Sequence, residues 1–444
     1  FALVLGVFVL MIVAKDRNGI TLGQRISVRI SHLAARSAGS HLYRSGPLGR
    51  TKWGTCQLPG IAARLSLAEH RDTFSAPFAV IHSKAQRSYT VVLASEPAGG
   101  ALRDQHEVDQ LVANWGWWLA QLGEAQDVLC AAVTVETQPD PGIRLRRTIE
   151  PRLDPAAPEF ARAVVSELLG QTGVSNRVDA YVSITFKDAG VSGKRRNPDE
   201  FGREIAARLP ALMATLQETG AGPVRALDAA ELCEVIRTAY DPASGVLFEE
   251  ARAEGLAPPA RWSDAGPAAA EAGWDGYRHD GAWSRTWTMT IAPTGTVQSS
   301  VLTRLLAPHR DVDRKRITLV YRPIDPGVAA AVVEHDKTAA QFGLTASRTA
   351  EARKQLAVVK AAKAADEEAS GAGLVEFGMI VTATVTDPER KDMALAAMDT
   401  LPAMAKIRLR TAYGAQDSAF AAGLPLGVWL PSYQMLPAEV RDKL

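Results

Sequence analysis

Two hydrophobic periods alternate along this chain, and they do so in the same order twice. A period of two marks a strand with one buried face, and a period of 3.6 marks a helix with one buried stripe. Residues 88–95 (SYTVVLAS) and 128–137 (VLCAAVTVET) read as strands. Between them Val108, Leu111, Val112, Trp115, Leu119 and Leu122 recur at helical spacing, with Asp104 as N-cap and Glu107 placed to close a capping box. After a helix near 158–169, residues 179–187 (DAYVSITFK) alternate again. Asn197, Pro198 and Glu200 then open a helix that Pro210 is placed to kink, 223–227 is a short strand, and Asp228 with Glu231 is placed to cap a short helix carrying Leu232, Val235 and Ile236. In the second half Trp283, Arg285, Trp287, Met289 and Ile291 alternate with Ser and Thr, and a helix carries Val297, Val301, Leu302 and Leu305. Residues 316–322 and 375–386 read as strands, Asp387-Pro388 opens a helix carrying Met393, Ala397 and Leu401, and Ile407 to Tyr413 closes the set.

Strand, helix, strand, an insertion, then strand, helix, strand is the order of the ferredoxin-like, or split βαβ, motif. The sequence thus predicts an α+β protein: two tandem ferredoxin-like (split βαβ) domains with helical insertions, after an N-terminal transmembrane segment. The expected divisions are a partial transmembrane helix (1–14), a basic membrane-proximal arm (15–75), a first domain (76–245), a connector (246–280), a second domain (281–430) and a C-terminal tail (431–444). Residues 327–370, rich in Ala, Lys, Glu and Gln, are expected to project from the second domain as a helical hairpin, because so polar a surface has little to bury.

The transmembrane expectation rests on Phe1 to Ala14, fourteen residues without a charge. A bilayer-spanning helix needs about 20 such residues, so this run is read as the end of a span. A cleaved signal peptide would show small residues at a cleavage site, whereas Lys15-Asp16-Arg17 follows at once. From Lys15 to Arg64 nine Lys or Arg residues stand against the single acid Asp16. Such an excess beside a span marks the cytoplasmic side, which places the folded domains in the cytoplasm at the inner membrane. Lys15, Arg17, Arg25, Arg29 and Arg36 are the candidate membrane-proximal basic residues facing the lipid bilayer, and Ile26 to Leu33 is amphipathic.

Signatures of catalysis are sparse. Formal net charge is +1, which gives no overall field for nucleic acid, and Lys194-Arg195-Arg196 lacks the interleaved aromatics of a nucleic-acid site. Gly190 to Arg195 has neither the spacing nor the hydroxyl of a phosphate-binding loop. Cys56, Cys130 and Cys233 are odd in number and far apart, so they suggest neither a disulfide framework nor a zinc site, and a reducing compartment fits. His279-Asp280 and His335-Asp336 are adjacent pairs, and adjacent side chains point apart. No catalytic, cofactor or metal residue and no small-molecule substrate is expected. Trp115, Trp117, Trp118, Trp283 and Trp287 read first as core residues and second as an aromatic interface.

From about Trp283 to Gly427 the chain resembles the N-terminal, non-motor domain of conjugation and type IV secretion ATPases of the VirB, TraC and TrbE group. The resemblance lies in TMTIAPTGTV, ITLVYRPIDPGVAA, GLVEFGMIVTATVTDPER and the run from Gln416 through Phe420 to Gly427. In those ATPases a comparable run leads into the motor domain; here the chain ends shortly after it, so ATP hydrolysis is not carried over. The whole chain, including CEVIRTAYDP and WDGYRHDGAWS, is similar to actinobacterial integral-membrane proteins of conjugative elements, in which two spans precede the cytoplasmic region. The resemblance implies a non-catalytic structural subunit that docks a separate secretion or conjugation ATPase, together with other membrane subunits, at the inner membrane. Trp117, Phe342, Gln416, Phe420 and Pro425 are the candidate partner-binding residues. Two other readings stand beside this one: a membrane subunit of a type VII secretion complex, and an enzyme using His279 and Asp280.

Overall fold

The strands of both halves lie side by side in one sheet. The computed structural model describes residues 21–433, apart from 48, 50, 98, 100–102, 141, 172–175, 191–192, 257–259, 292–298, 346–351 and 370–372. Its strands are β1 (Leu42–Arg44), β2 (Leu65–Arg71), β3 (Pro77–Ser83), β4 (Ser88–Ser95), β5 (Val128–Pro139), β6 (Asn176–Lys187) and β7 (Val224–Ala226), followed by β8 (Ala269–Ala272), β9 (Tyr277–His279), β10 (Ala282–Ile291), β11 (Arg314–Pro323), β12 (Val375–Val385) and β13 (Arg408–Thr411). They form a 13-stranded sheet in the order β1-β8-β9-β10-β12-β11-β5-β6-β4-β3-β2, with β7 beside β4 and β13 beside β10. Every pairing among the described residues is antiparallel. The molecule is therefore a mixed α+β protein built on a large antiparallel sheet.

Each half has the same neighbour order, β7-β4-β6-β5 in the first and β13-β10-β12-β11 in the second. The halves meet where the corresponding strands β5 and β11 pair, from Lys315 opposite Thr137 to Tyr321 opposite Ala131. Near the middle of that seam Thr134 faces Thr318, and their hydroxyls are 3.1 Å apart. Because corresponding strands pair antiparallel, the seam has the form of a homodimer contact made within one chain.

Alternation along the strands gives the sheet two differently built faces. On one, the helices Gln105–Glu124 and Pro198–Leu216 cover β4, β5 and β6 through Trp118, Leu122, Phe201, Ile205 and Leu209. On the same side the helix Lys391–Met404 covers β10, β11 and β12 through Ala394, Ala397, Met398 and Leu401. Trp115 lies edge-on to Tyr321, 5.6 Å between ring centres, and so links the two cores across the seam. The opposite face is closed by a third core, to which the helix Ala229–Tyr240 contributes Leu232, Ile236 and Tyr240 and the terminal segment contributes Phe420, Leu424 and Leu426.

Several local signals act as the sequence indicates. The Asn197–Glu200 box forms, with Asn197 accepting from the Glu200 amide at 2.8 Å and Glu200 accepting from the Asn197 amide at 3.1 Å. Asp228 and Glu231 form a second box. Each such cap contributes about 1 kcal/mol. The Asp104 box does not form: Asp104 caps by position alone, and the Glu107 carboxylate pairs with Arg103 instead. The helix read around Val297 to Leu305 is, in its described part, only the short turns Ser299–Leu302 and Thr303–Leu306, and Val297 lies outside the described residues.

The arm and the connector contribute strands. β1 and β2 fall within 15–75, and β8 and β9 within 246–280. β1 has only three residues and β8 reads Ala-Ala-Glu-Ala, so the first is too short and the second too low in β propensity to form a strand by itself. They are strands because β9 extends the sheet and they pair beside it. The hairpin expected within 327–370 is present as the packed helices Pro326–Thr345 and Ala352–Ala369. Among the described residues no helix is long and apolar enough to cross a membrane, and Phe1 to Ala14 lie outside them.

Candidate functional site

The polar residues that alternate with the core positions are not in solvent. Ser284, Thr286, Thr318, Thr134, Thr185 and Thr382 are all buried on the second face of the sheet. Their hydroxyls pair across strands: Thr90 with Thr185 at 3.0 Å, Thr286 with Thr382 at 3.0 Å, and Ser284 with Thr384 at 2.7 Å. Short hydroxyl side chains satisfy one another here and still let a covering segment come close.

A buried charge cluster lies at the seam. Glu136 on β5 accepts with one oxygen from Arg314 (Nε 3.2 Å, Nη2 3.0 Å) and from Arg316 (Nη2 3.1 Å), both on β11. All three side chains are buried. Burial alone would raise the Glu136 carboxyl, but the two guanidiniums hold it below the usual carboxylate range. Arg314 also donates to the Thr238 carbonyl at 2.7 Å, and Arg316 lies over the Phe420 ring. Nε and Nη1 of Arg316 are buried without a hydrogen-bond partner. Lys315 points to the other face, where desolvation lowers its ammonium to about 8 and it donates to the Ala307 carbonyl. Reading the strand from 316 omits Arg314 and Lys315 and so misses this cluster; charged residues next to a strand reading as core were the available signal.

Residues 416–433 cross this face from the second half to the first. Gln416 is fully buried; its Oε1 accepts from the Thr286 amide at 2.8 Å and its Nε2 donates to the Thr286 and Ala412 carbonyls at 3.1 and 3.0 Å. The Phe420 ring lies among Tyr240, Tyr277 and His279, 4.8 to 5.3 Å between centres. Thr318 donates to the Gly423 carbonyl at 2.7 Å, and Gln86 donates to the Gly427 carbonyl at 3.0 Å. Gly427 has φ of +67°, and a Cβ there would lie 2.0 Å from the Thr90 hydroxyl, so both backbone and space require glycine. Pro425 is buried in the same segment. Gln416, Phe420 and Pro425, expected to face a partner, thus face the chain's own sheet.

His279 is fully buried and serves this layer. Its Nε2 is 2.7 Å from the Ser284 hydroxyl, and its Nδ1 meets the Tyr240 carbonyl. Desolvation, with Arg316 and Arg314 nearby, lowers it to about 4, so it is neutral near pH 7. Asp280 turns the other way, accepting from the Ala268 and Ala269 amides at 2.8 and 3.0 Å and pairing with Arg237. His335 and Asp336 lie exposed on the hairpin. Arg196 of the basic 194–196 run is buried against Asp127 and Glu204. Burial would raise the Asp127 carboxyl, but Arg208 and Arg196 lower it. A cavity bounded by Cys233, Arg237, Phe248 and Asp264 lies beside the helix Ala229–Tyr240, and burial pushes the Cys233 thiol up to about 12. Among the described residues no three His, Cys, Asp or Glu side chains are grouped to hold a metal.

The outer surface carries the remaining candidates. Lys15 and Arg17 lie outside the described residues, whereas Arg25, Arg29 and Arg36 are exposed on the helix Leu22–Ser37. Trp117 is 53% exposed while its neighbour Trp118 is in the core. Phe342, on the first hairpin helix, is 73% exposed. The helix expected near 158–169 is Glu159–Gln171, and it presents Phe160 (80% exposed), Val164 and Leu168 along one exposed stripe that the sequence analysis does not name. Their spacing of four residues was the available signal. No protein-family model matches this chain, and a search of curated proteins finds no match to it.

Proposed function

We propose that this protein is a membrane-anchored scaffold, made of two ferredoxin-like units fused edge to edge, that docks a separate secretion or conjugation ATPase at the cytoplasmic face of the inner membrane. The ferredoxin-like reading draws on the neighbour order within each half: the first strand of each set lies between the third and the fourth, and the second is outermost. The anchor is argued from Phe1 to Ala14 and the basic residues after them.

The observation that carries the docking role is the pair of helical insertions. Each follows the corresponding strand of its half, β5 or β11, and each holds large apolar side chains in solvent: Phe160, Val164 and Leu168 in the first, Val328, Phe342 and Val359 in the second. Side chains of this kind, grouped on projecting helices, are suited to partner contact. The buried cluster of Glu136, Arg314 and Arg316, by contrast, is engaged in holding the halves together.

The test is reconstitution of the full chain in membranes with a secretion ATPase of the VirB, TraC and TrbE group. Phe160→Asp with Leu168→Asp should weaken ATPase binding at least tenfold while leaving the thermal midpoint within a few degrees, since neither side chain is in the core. Unchanged ATPase binding and turnover in wild type and variant alike would remove the docking role. Selective binding of a type VII ATPase would move the protein to that apparatus.

A further inference from the structure

We infer that the helix Leu22–Ser37 lies in the plane of an anionic bilayer surface and orients the sheet against it. The inference deepens the membrane reading above and rests on it for proximity alone.

The helix is well defined at its start. Thr21 accepts from the Gln24 amide at 3.3 Å, and the Gln24 side chain accepts from the Thr21 amide at 3.1 Å. One side rests on the protein. His32 is buried edge-on to Trp274, 5.3 Å between centres, and a Cβ on Gly414 would lie 2.9 Å from both Val28 and Trp274. The other side is apolar and uncovered: Leu22, Ile26, Ile30 and Leu33 are all exposed, the last two at 61%. At 3.6 residues per turn their stripe lies roughly 130° round the axis from Val28 and His32. A helix that only needed to pack on its domain would have this stripe polar.

The flank of the stripe identifies what covers it. Arg25, Arg29 and Arg36 fall on one side within an arc of roughly 40°, Arg29 with its guanidinium 5.9 Å from the centre of the Trp274 ring at the protein's edge, and the helix has no acidic residue. An apolar stripe edged by arginines matches acyl chains beneath anionic headgroups, with long side chains reaching up to the phosphates. A protein groove of the same shape would need both an apolar floor and an acidic rim. Proximity adds to this. Only Lys15 to Thr21, seven residues, separate Ala14 from the helix, and they reach at most about 25 Å.

The test places a polarity-sensitive bimane label on Ile30→Cys, and separately on Ser31→Cys on a neighbouring face, in the full chain. Cys56→Ser removes the one native thiol that is not buried. The protein is added to vesicles of phosphatidylglycerol with phosphatidylcholine, or of phosphatidylcholine alone. The inference expects the Ile30 label to shift to the blue and be quenched by doxyl lipids with anionic vesicles, and the Ser31 label to change much less. Arg25→Gln, Arg29→Gln and Arg36→Gln together should weaken this contact on the order of a hundredfold, about fivefold for each charge. Protein that floats with vesicles while the Ile30 label stays in water overturns the helix contact and leaves the anchor standing. Protein that floats only with anionic vesicles, with the label shielded, supports the helix and counts against the anchor. Failure to float with either vesicle overturns both, and a label shielded without vesicles assigns the stripe to a second copy of the chain and overturns the lipid contact.

Discussion

Replacing Glu136 by Gln should unfasten the two halves of the sheet before it unfolds either one. The substitution keeps the side chain's shape and one acceptor oxygen but removes the carboxylate that Arg314 and Arg316 share at 3.0 to 3.2 Å. Both guanidiniums are within the protein, so water cannot replace the lost charge. Removing one partner from a buried ion group costs about 3–5 kcal/mol, because the remaining charge stays desolvated. Arg316 already has two buried donors without partners, which places the expected loss toward the upper end of that range. Urea titration followed by tryptophan fluorescence reads the loss. Amide exchange locates it, with β5 and β11 expected to lose protection before β4 and β12. Replacing all three residues together, Glu136→Leu with Arg314→Met and Arg316→Met, should recover most of the stability, less the bond from Arg314 to the Thr238 carbonyl. A loss of less than about 1 kcal/mol for Glu136→Gln, the value of a solvated pair, would refute the reasoning, as would exchange that rises evenly through the sheet.

Two further predictions concern pH. His279 is lowered to about 4 from an ordinary 6.5, so between those values the unfolded chain binds the extra proton and stability falls as pH falls. From this group alone the fold should lose about 2 kcal/mol between pH 7 and pH 5, and His279→Gln should flatten that part of the profile; an unchanged slope in the variant would show that other groups set it. Lys315 works at the other end of the scale. Its folded value of about 8 lies below the ordinary 10.5, so the unfolded chain holds the proton longer and the fold gains about 3 kcal/mol as pH rises through that window. Lys315→Met should abolish the gain in alkaline urea titrations, and an equal gain in wild type and variant would sink the assignment.

The order of elements was legible because it rests on period. β4 and β12 follow their alternating runs closely, and the Asn197 and Asp228 caps form as their spacing demands. β1 and β8 were not legible, because one is only three residues long and the other is of low propensity, and both exist only by pairing beside a strand already in place. The second face of the sheet was half legible. Alternation along Ser284 and Thr286 correctly gives the inward direction of Trp287, but period cannot say whether the opposite side meets water or protein. Composition could have said so: an open antiparallel face is usually lined with Lys and Glu, whereas this one is lined with Ser and Thr. Gln416, Phe420 and Pro425 were legible as a distinctive run, and only the fold shows that the surface they cover belongs to the same chain.

That covering follows from the way the halves are joined. Pairing β5 with β11 removes two sheet edges that would otherwise offer unpaired backbone groups to other chains, but it also doubles the width of the face opposite the helices. A face that wide cannot be closed by one helix. The helix Ala229–Tyr240 follows β7 and the segment from Gln416 follows β13, so each half supplies the cover that comes after its own last strand. The two covers meet where Phe420 lies against Tyr240, 5.1 Å between ring centres, above Arg316. The charge cluster thus lies where the edge pairing and the two covers converge, and this convergence explains why a buried ion group is retained where an apolar one would pack. Glu136 can satisfy guanidiniums only from the strand paired directly with its own. A slip of one residue between β5 and β11 would turn Arg314 and Arg316 to the helix side and leave Glu136 buried alone. On this argument the cluster fixes the register between two halves whose similar edges could otherwise pair in more than one way.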